Sequence, residues 1–368
     1  MTLKAHNKHA KLQKVDGGSF HRNEIAILGA PCSIVNKLAK DIAAALRPLS
    51  VAFADAAHQS KEEIDTFSLE ITDNISHYAH RFKSEHYEYD RRALFELADL
   101  VLVNGNHFKA EKQWVIINEK KKESLQRKLD RLTNVIGFIL DNGHDDIHDY
   151  LKESFIDIPV FSLDNFEGIL MHTQKQLRKP ALKGLVLAGG KSMRMGEDKG
   201  KIAYHGKPQR EYMLELLDTF CEESFLSVAR QQELSLPQLA DRFDGLGPYG
   251  GILSAFQHDP NASWLTVATD IPLLDESTLK LLVEKRNSSK VATCFYNPET
   301  DFPEPLITIW EPRAYARMLY FLSLGYSCPR KVLINSDIEL IKLSDAGVLD
   351  NANTPEEKKA MMSRLKRD

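Results

Sequence analysis

From residue 185 to 199 the chain reads Leu-Val-Leu-Ala-Gly-Gly-Lys-Ser-Met-Arg-Met-Gly-Glu-Asp-Lys. The apolar residues Leu185 to Ala188 predict a short buried strand. It runs into Gly189 and Gly190, where the backbone can take conformations that other residues resist and where main-chain N–H groups can approach an anion. Ser192, Arg194, Gly196 and Lys199 follow. A glycine turn with nearby cations suits the triphosphate of a nucleotide. A structural turn, used only for packing, is the other reading. Neither the Gly-x-Gly-x-x-Gly fingerprint nor the P-loop pattern occurs in this run. A second stretch, Trp264-Leu-Thr-Val-Ala-Thr-Asp270-Ile-Pro, delivers a carboxylate at the C-terminal end of a buried strand, the edge where open α/β sheets bind ligands. Such a group can hold Mg2+ against phosphate oxygens, or else cap a helix beside Pro272.

The run Leu187–Lys199 resembles the signature of the nucleotidyltransferases that modify molybdopterin, and within them the molybdenum cofactor guanylyltransferase family. The resemblance implies that Leu187, Ala188, Gly189, Gly190, Ser192, Lys199 and Asp270 contact the nucleotide. Lys199, Arg194 and Asp270 would be catalytic, and Asp270 would be the Mg2+ ligand. Asp241-Arg-Phe-Asp-Gly-Leu-Gly-Pro-Tyr-Gly-Gly-Ile252 reads as a tight glycine-rich loop. It resembles the family's Gly-Pro-Leu-x-Gly-Ile loop, which would add Asp241 and Gly250 to the nucleotide contacts; a mere connector is the alternative. Pro303-Glu-Pro-Leu306, Cys328-Pro-Arg-Lys331 and Asp350-Asn-Ala-Asn-Thr-Pro-Glu356 are similar to later family segments. They assign Glu304, Arg330, Asn351 and Asn353 to the acceptor side. Thr354 as a helix N-cap with Pro355 at the first turn is the competing reading of the last segment. The resemblance spans residues 182 to 365. One departure is Ala229, where the family usually carries an asparagine that contacts the nucleotide, so base selection or affinity is the property on which the resemblance does not carry over.

The activity so implied is transfer of GMP from GTP to the phosphate of molybdopterin, with pyrophosphate leaving and Mg2+ as the cofactor. A cytidylyl- or sugar-phosphate nucleotidyltransferase of the same superfamily, and a non-catalytic cofactor-delivery scaffold, are the alternatives. GTP and molybdopterin would be the small-molecule partners, with molybdoenzymes or their chaperones as protein partners.

The 368 residues are 43% hydrophobic and 27% charged with a net charge of -4. This is a soluble globular composition long enough for two domains, and it points to neither a nucleic-acid nor a membrane partner. The first residues lack the apolar core of a signal peptide, and no apolar run approaches a bilayer span. The cysteines Cys32, Cys221, Cys294 and Cys328 lie far apart with no Cys-x-x-Cys. That spacing indicates neither a zinc site nor a disulfide framework, and a cytoplasmic setting with reduced thiols is expected.

In the first half, strands are expected at Glu24–Gly29, Val51–Ala54, Leu100–Val103, Trp114–Ile117, Val135–Leu140 and Pro159–Phe161. Ile34, Leu38, Ile42 and Ala45 fall at helical spacing, and further helices are expected at Asp90–Ala98, Lys120–Arg131 and Asp145–Lys152. Alternating strands and helices imply a parallel sheet. The turn after Gly29 stands where a P-loop would, yet Ile34, Val35 and Asn36 occupy the positions of its glycine, lysine and hydroxyl residue. Asp99-Leu-Val-Leu-Val-Asn-Gly105 and Ile158-Pro-Val-Phe-Ser-Leu-Asp164 resemble segments of the GTP-binding molybdopterin-guanine dinucleotide adaptor family over residues 20 to 178. The half thus reads as a P-loop-type fold without nucleotide binding, with a role in interaction or regulation. His144 and His148 read as part of a solvated acidic patch rather than a metal site, and His77, His80 and His86 as part of a loop-rich stretch.

The basic, proline-terminated segment Gln174–Pro180 marks a domain boundary. The expected architecture is α/β with two parallel-sheet domains. Residues 1–179 form a degenerate P-loop NTPase-like domain, and residues 180–368 a Rossmann-like nucleotidyltransferase domain.

Overall fold

The computed structural model describes residues 22–56, 69–74, 76–82, 94–141, 143–188 and 199–365. The chain divides into two units, Met1–Arg178 and Lys179–Asp368.

The first unit carries strands β1 (Glu24–Leu28), β2 (Val51–Ala54), β3 (Leu69–Asn74), β4 (His77–Phe82), β5 (Leu100–Asn104), β6 (Lys112–Ile117), β7 (Val135–Leu140) and β8 (Val160–Ser162). Its described helices are α1 (Cys32–Ala45), α2 (Lys122–Gln126), α3 (Asp149–Lys152) and α4 (Phe166–Gln176). Six strands form one all-parallel sheet in the order β2-β5-β1-β6-β7-β8. Successive side chains of a strand point to opposite faces, so β1 and β5 feed two cores. Ala26, Leu28, Val101 and Val103 face one, and Ile25, Ile27, Leu100 and Leu102 the other. Helix α1 covers the second core with Val35, Leu38, Ala39 and Ile42. Gly29 ends β1 with φ of 88°, in the left-handed region that glycine tolerates.

Three expectations change here. The stretch holding His77 and His80 is an antiparallel β3–β4 hairpin rather than loop; His86 lies outside the described residues. The helix expected over Lys120–Arg131 is broken into α2 and two flanking 3-10 turns, Glu119–Lys121 and Leu129–Arg131. Asn118 caps the first of these turns by accepting from Lys120 N, a local bond that competes with a continuous helix. The helix expected from Asp145 begins only at Asp149, so His144 and His148 do not share a helix. His148 is buried rather than solvated. Its ring stacks on Tyr150, and burial lowers its pKa. The helix expected over Asp90–Ala98 starts outside the described residues.

The second unit runs β9 (Leu182–Leu187), α5 (Gln209–Asp218), β10 (Ser224–Val228), β11 (Gln238–Ala240), α6 (Pro248–His258), β12 (Ser263–Ala268), α7 (Glu276–Glu284), β13 (Ala292–Asn297), β14 (Phe302–Trp310), α8 (Arg313–Ser323), α9 (Pro329–Ile334), β15 (Ile338–Ile341) and α10 (Pro355–Arg364). Its sheet has the order β11-β10-β9-β12-β14-β13-β15. Every pairing is parallel except those of β14, which runs antiparallel to β12 and β13. The connection from Asn297 to Phe302 is too short for a crossover, so β13 and β14 form a hairpin. Alternation again feeds two cores. Val186, Leu265 and Val267 pack with Met213, Leu216 and Leu217 of α5, while Leu185, Leu187 and Trp264 pack with Ile252, Leu253 and Phe256 of α6. The residues Pro248–Ile252, expected within a loop, are the first turns of α6: Pro248 sits at the helix start, a position that needs no N–H.

A buried polar cluster ties the start of this unit to β12 and β14. The Arg286 Nε donates to Glu311 Oε1 at 2.7 Å, and Nη2 donates to Glu311 Oε2, to Ser263 Oγ and to the Pro180 carbonyl at 3.1, 2.7 and 2.9 Å. Ser263 Oγ completes it by donating to Glu311 Oε2 at 2.6 Å. Glu311 is fully buried, so removing its partner leaves an uncompensated carboxylate. Arg286→Ala should therefore lower stability by about 3–5 kcal/mol, read as a shift of the urea midpoint. An unchanged midpoint would show that water replaces the guanidinium.

Candidate active site

Strands β9 and β12 lie side by side with Leu187 paired to Ala268 at their carboxyl ends. From β9 the chain next builds β10 and β11 on one side, and then returns to place β12 on the other. The two strands therefore flank the point where the order reverses, which is where an open sheet leaves a crevice beyond its strand ends. Residues 189–198, with Gly189, Gly190, Ser192 and Arg194, leave β9 at this point and lie outside the described residues. Leu187 is buried and Ala188 half-buried at the strand end.

Lys199, Asp270 and Asn353 meet here, although they are far apart in sequence. Lys199 Nζ lies 3.4 Å from Asp270 Oδ2 and donates to Asn353 Oδ1 at 2.6 Å. The side chains of Lys199 and Asp270 are 19% and 22% exposed, shielded yet reachable from solvent. Ala352 N donates to the Asp270 carbonyl at 2.7 Å, pinning the C-terminal segment to the end of β12. The next residue, Thr354, caps α10 in a capping box with Glu357, and Glu357 also accepts from Asn353 N. Thr354 is thus a helix N-cap, and the same cap holds Asn353 where its side chain meets Lys199. Asn351 is exposed. The cap of α7 falls to Asp275, not Asp270.

Asp270 Oδ1 is buried with no hydrogen-bond partner among the described residues. An orphaned carboxylate oxygen beside an ammonium is a hard anionic donor of the kind that Mg2+ takes together with substrate phosphates. The residues present thus fit the cation that Asp270 would hold.

Glu304 is buried near the start of β14, where Leu306 N and Asn297 Nδ2 donate to its two oxygens at 3.2 and 3.4 Å. Burial raises its pKa above the ordinary carboxylate range. The two hydrogen bonds and the Arg330 charge oppose that shift, and the Asp270 charge adds to it. The fields of Arg330 and Asp270 thus reach Glu304. Arg330, in the first turn of α9, keeps a buried Nε without a partner among the described residues.

Asp241 sits on the other flank, just after β11, accepting from Ser227 Oγ at 3.1 Å. Burial raises its pKa, and the Ser227 bond partly offsets this. No hydrogen bond joins it to Lys199 or Asp270 among the described residues. A Cβ on Gly251 would fall 2.4 Å from Ser227 Oγ, so the glycine lets α6 close onto this pair. At Gly250 a Cβ would meet the Phe243 carbonyl at 2.6 Å, a packing demand internal to the unit. Ala229 is exposed just past β10. Ser227 and Asn297 were not assigned roles in the sequence; only their neighbours Ala229 and Glu304 fell in readable motifs.

Residues 184–337 match the family model described as MobA-like NTP transferase domain. This part of the chain is a MobA-like NTP transferase domain. The chain is 38% identical over 181 residues to a molybdenum cofactor biosynthesis bifunctional protein of Synechocystis sp., covering 48% of this chain and 52% of that protein. It thus spans about half the length of that relative. It is 29% identical over 181 residues to a molybdenum cofactor guanylyltransferase of Xanthomonas euvesicatoria pv. vesicatoria, covering 47% of this chain and 90% of that protein. A crystal structure of molybdopterin-guanine dinucleotide biosynthesis protein A from Archaeoglobus fulgidus aligns with 51% of this chain and 100% of its own, at 19% identity and a TM-score of 0.44.

The burial of Glu304 in the transferase domain has a pH signature. Its folded pKa is raised, so its contribution is fully present below the unfolded value of about 4.3 and is lost as pH rises through the folded value. Glu304→Gln, which imitates the protonated form, should gain stability relative to the parent as pH rises from the unfolded value through the folded one, and the difference should stay level above it. Parallel urea midpoints against pH for the two proteins would contradict this.

Proposed function

We propose that the chain is a molybdenum cofactor guanylyltransferase: it transfers GMP from GTP to the phosphate of molybdopterin and releases pyrophosphate. The observation that carries this reading is the convergence of Lys199, Asp270 and Asn353 at the strand-order reversal. The transferase domain and its guanylyltransferase relatives support the substrate assignment. In the reaction an oxygen of the acceptor phosphate bonds to the α-phosphorus. The bond from that phosphorus to the β-phosphate oxygen breaks, and pyrophosphate leaves with the electron pair. The acceptor phosphate is largely ionised at neutral pH, so no side chain has to remove a proton. Positioning and charge stabilisation are the protein's contribution.

Lys199 neutralises charge on the triphosphate, and Asn353 aims its ammonium by accepting one of its three donors. Arg194 and the Gly189-Gly190 backbone, with Leu187, Ala188 and Ser192, would complete the triphosphate cradle. Mg2+ on Asp270 would supply further charge neutralisation at the phosphate oxygens. Glu304, Arg330 and Asn351 are assigned to the acceptor side. Asp241, with Gly250 behind it, would accept from the guanine edge or the ribose and so favour GTP over CTP. Ala229 contributes no polar contact to that choice. Molybdoenzymes or their chaperones as recipients of the product, and a cytoplasmic setting, belong to the same reading. The free cysteines are consistent with the latter, and no helix among the described residues is long and apolar enough to cross a membrane.

The test supplies molybdopterin, Mg2+ and each nucleoside triphosphate in turn, and identifies the dinucleotide formed. GTP should be the productive substrate. Asp270→Ala should abolish Mg2+-dependent pyrophosphate release, and Lys199→Ala should lose at least roughly a hundredfold, the typical loss on removing one electrostatic stabiliser. Undiminished turnover in both variants, or a cytosine dinucleotide as the main product, would overturn the assignment.

A further inference from the structure

The first unit carries a cluster of metal-binding side chains that the transfer reaction does not use. Three adjacent strands of its parallel sheet, in spatial order β2-β5-β1, each deliver one donor just past the carboxyl end. Asp55 follows β2, His107 follows β5, and Cys32 follows β1 as the first residue of α1. One donor atom from each side chain lies within 4.8 Å of the other two. No local spacing announces the group, because its members come from separate crossovers of the chain.

The geometry fits a tetrahedral ion. Zinc bonds of about 2.3 Å to sulfur and 2.0–2.1 Å to nitrogen, at a tetrahedral angle, place the two donors about 3.5 Å apart. Cys32 Sγ and His107 Nε2 are 3.6 Å apart. Both hydrogen bonds to the Asp55 carboxylate fall on one oxygen: Oδ1 accepts from Asn104 Nδ2 and from Ala56 N, each at 2.8 Å. Among the described residues the other oxygen accepts no hydrogen bond and can act as a ligand. Asn104 is itself fully buried, and its Oδ1 accepts from Asn106 N at 3.1 Å. Asn106 in turn donates to the Ala30 carbonyl at 3.0 Å, in the loop that carries Cys32. This chain of amides orients the donors from behind, as the outer contacts of metal sites do. A Cys–His–Asp relay is the competing use of these residue types, but it would engage opposite nitrogens of the imidazole. Here a single imidazole nitrogen lies within reach of both the thiol and the carboxylate.

We propose that Cys32, His107 and Asp55 bind one Zn2+ at the carboxyl edge of the first sheet. The thiol proton is released to solvent as the ion binds. The site occupies the turn where a P-loop would hold phosphate. The cation of that turn is absent, since Lys37 points to the surface and pairs with Asp41 at 2.7 Å. A thiol, an imidazole and a carboxylate make a borderline-soft donor set that suits zinc.

The test uses the full chain, stripped with a chelator, dialysed against Zn2+ and analysed for metal. One retained equivalent is expected, and Co2+ in its place should give a thiolate-to-cobalt charge-transfer band. Cys32→Ser should remove the band, and His107→Ala the bound equivalent. Asn104→Ala should weaken binding about 10- to 100-fold, as outer contacts do. The unmodified protein gives a readout that does not depend on a variant folding: Zn2+ should slow alkylation of Cys32, mapped by peptide mass, without slowing that of the exposed Cys328. No retained equivalent, equal retention in the Cys32 and His107 variants, or alkylation of Cys32 indifferent to Zn2+ would overturn the proposal.

Discussion

The lateral pairing of β9 with β12 is the constraint on which the transferase domain depends. Once Leu187 stands beside Ala268, the turn leaving β9 and the segment carrying Asp270 must emerge side by side. Parallel pairing puts both exits on one edge of the sheet, and the reversal of strand order keeps the space above them clear of a crossover. The C-terminal segment is then drawn to the same place by the bond from Ala352 N to the Asp270 carbonyl. Asn353 reaches Lys199 because its own backbone is held by the capping box that begins α10. Helix capping, a local stabiliser worth about 1 kcal/mol, here also fixes the side chain that meets Lys199.

The charges at this edge are arranged unevenly. Lys199 sits between Asp270 and Asn353, so one carboxylate oxygen has a cation beside it while the other is buried without a hydrogen-bond partner among the described residues. Glu304 nearby is driven towards its neutral form by burial. A partly shielded edge in which one oxygen lacks a hydrogen bond among the described residues costs stability, and a cation bound there with phosphates would relieve that cost. The Arg286–Glu311–Ser263 cluster shows the opposite case. Its acid is more deeply buried, yet each of its oxygens is met by donors. One acid is fully satisfied within the fold, whereas the other keeps an oxygen that the proposed cation would meet.

The first unit applies the same geometry to different residues. Its parallel sheet also ends in a row of donors at the carboxyl edge, yet these are a thiol, an imidazole and a carboxylate rather than a lysine and a hydroxyl. Val35 is buried against the sheet at the position where a P-loop lysine would stand, so an apolar side chain faces the core where a cation would face an anion.

Much of this was legible in the sequence. Continuous apolar runs such as Leu100–Val103 and Leu185–Leu187 are buried on both faces of a parallel strand, and an unbroken apolar run of strand length is enough to find them. Lys199, Asp270 and Asn353 could be named because each stands in a motif. Misread segments were those where local bonds outweigh periodicity: the capped turns of residues 119–131, the late start of α3, and the proline-led start of α6. The sequence by itself determined the strands that are continuous apolar runs and the motifs in which Lys199, Asp270 and Asn353 stand, since those are written over a few neighbouring positions. Only the tertiary structure decided which distant residues meet. Asp55, His107 and Cys32 lie in three separate turns, and sheet order, set by long-range pairing that no local window contains, is what brings them within one ion's reach.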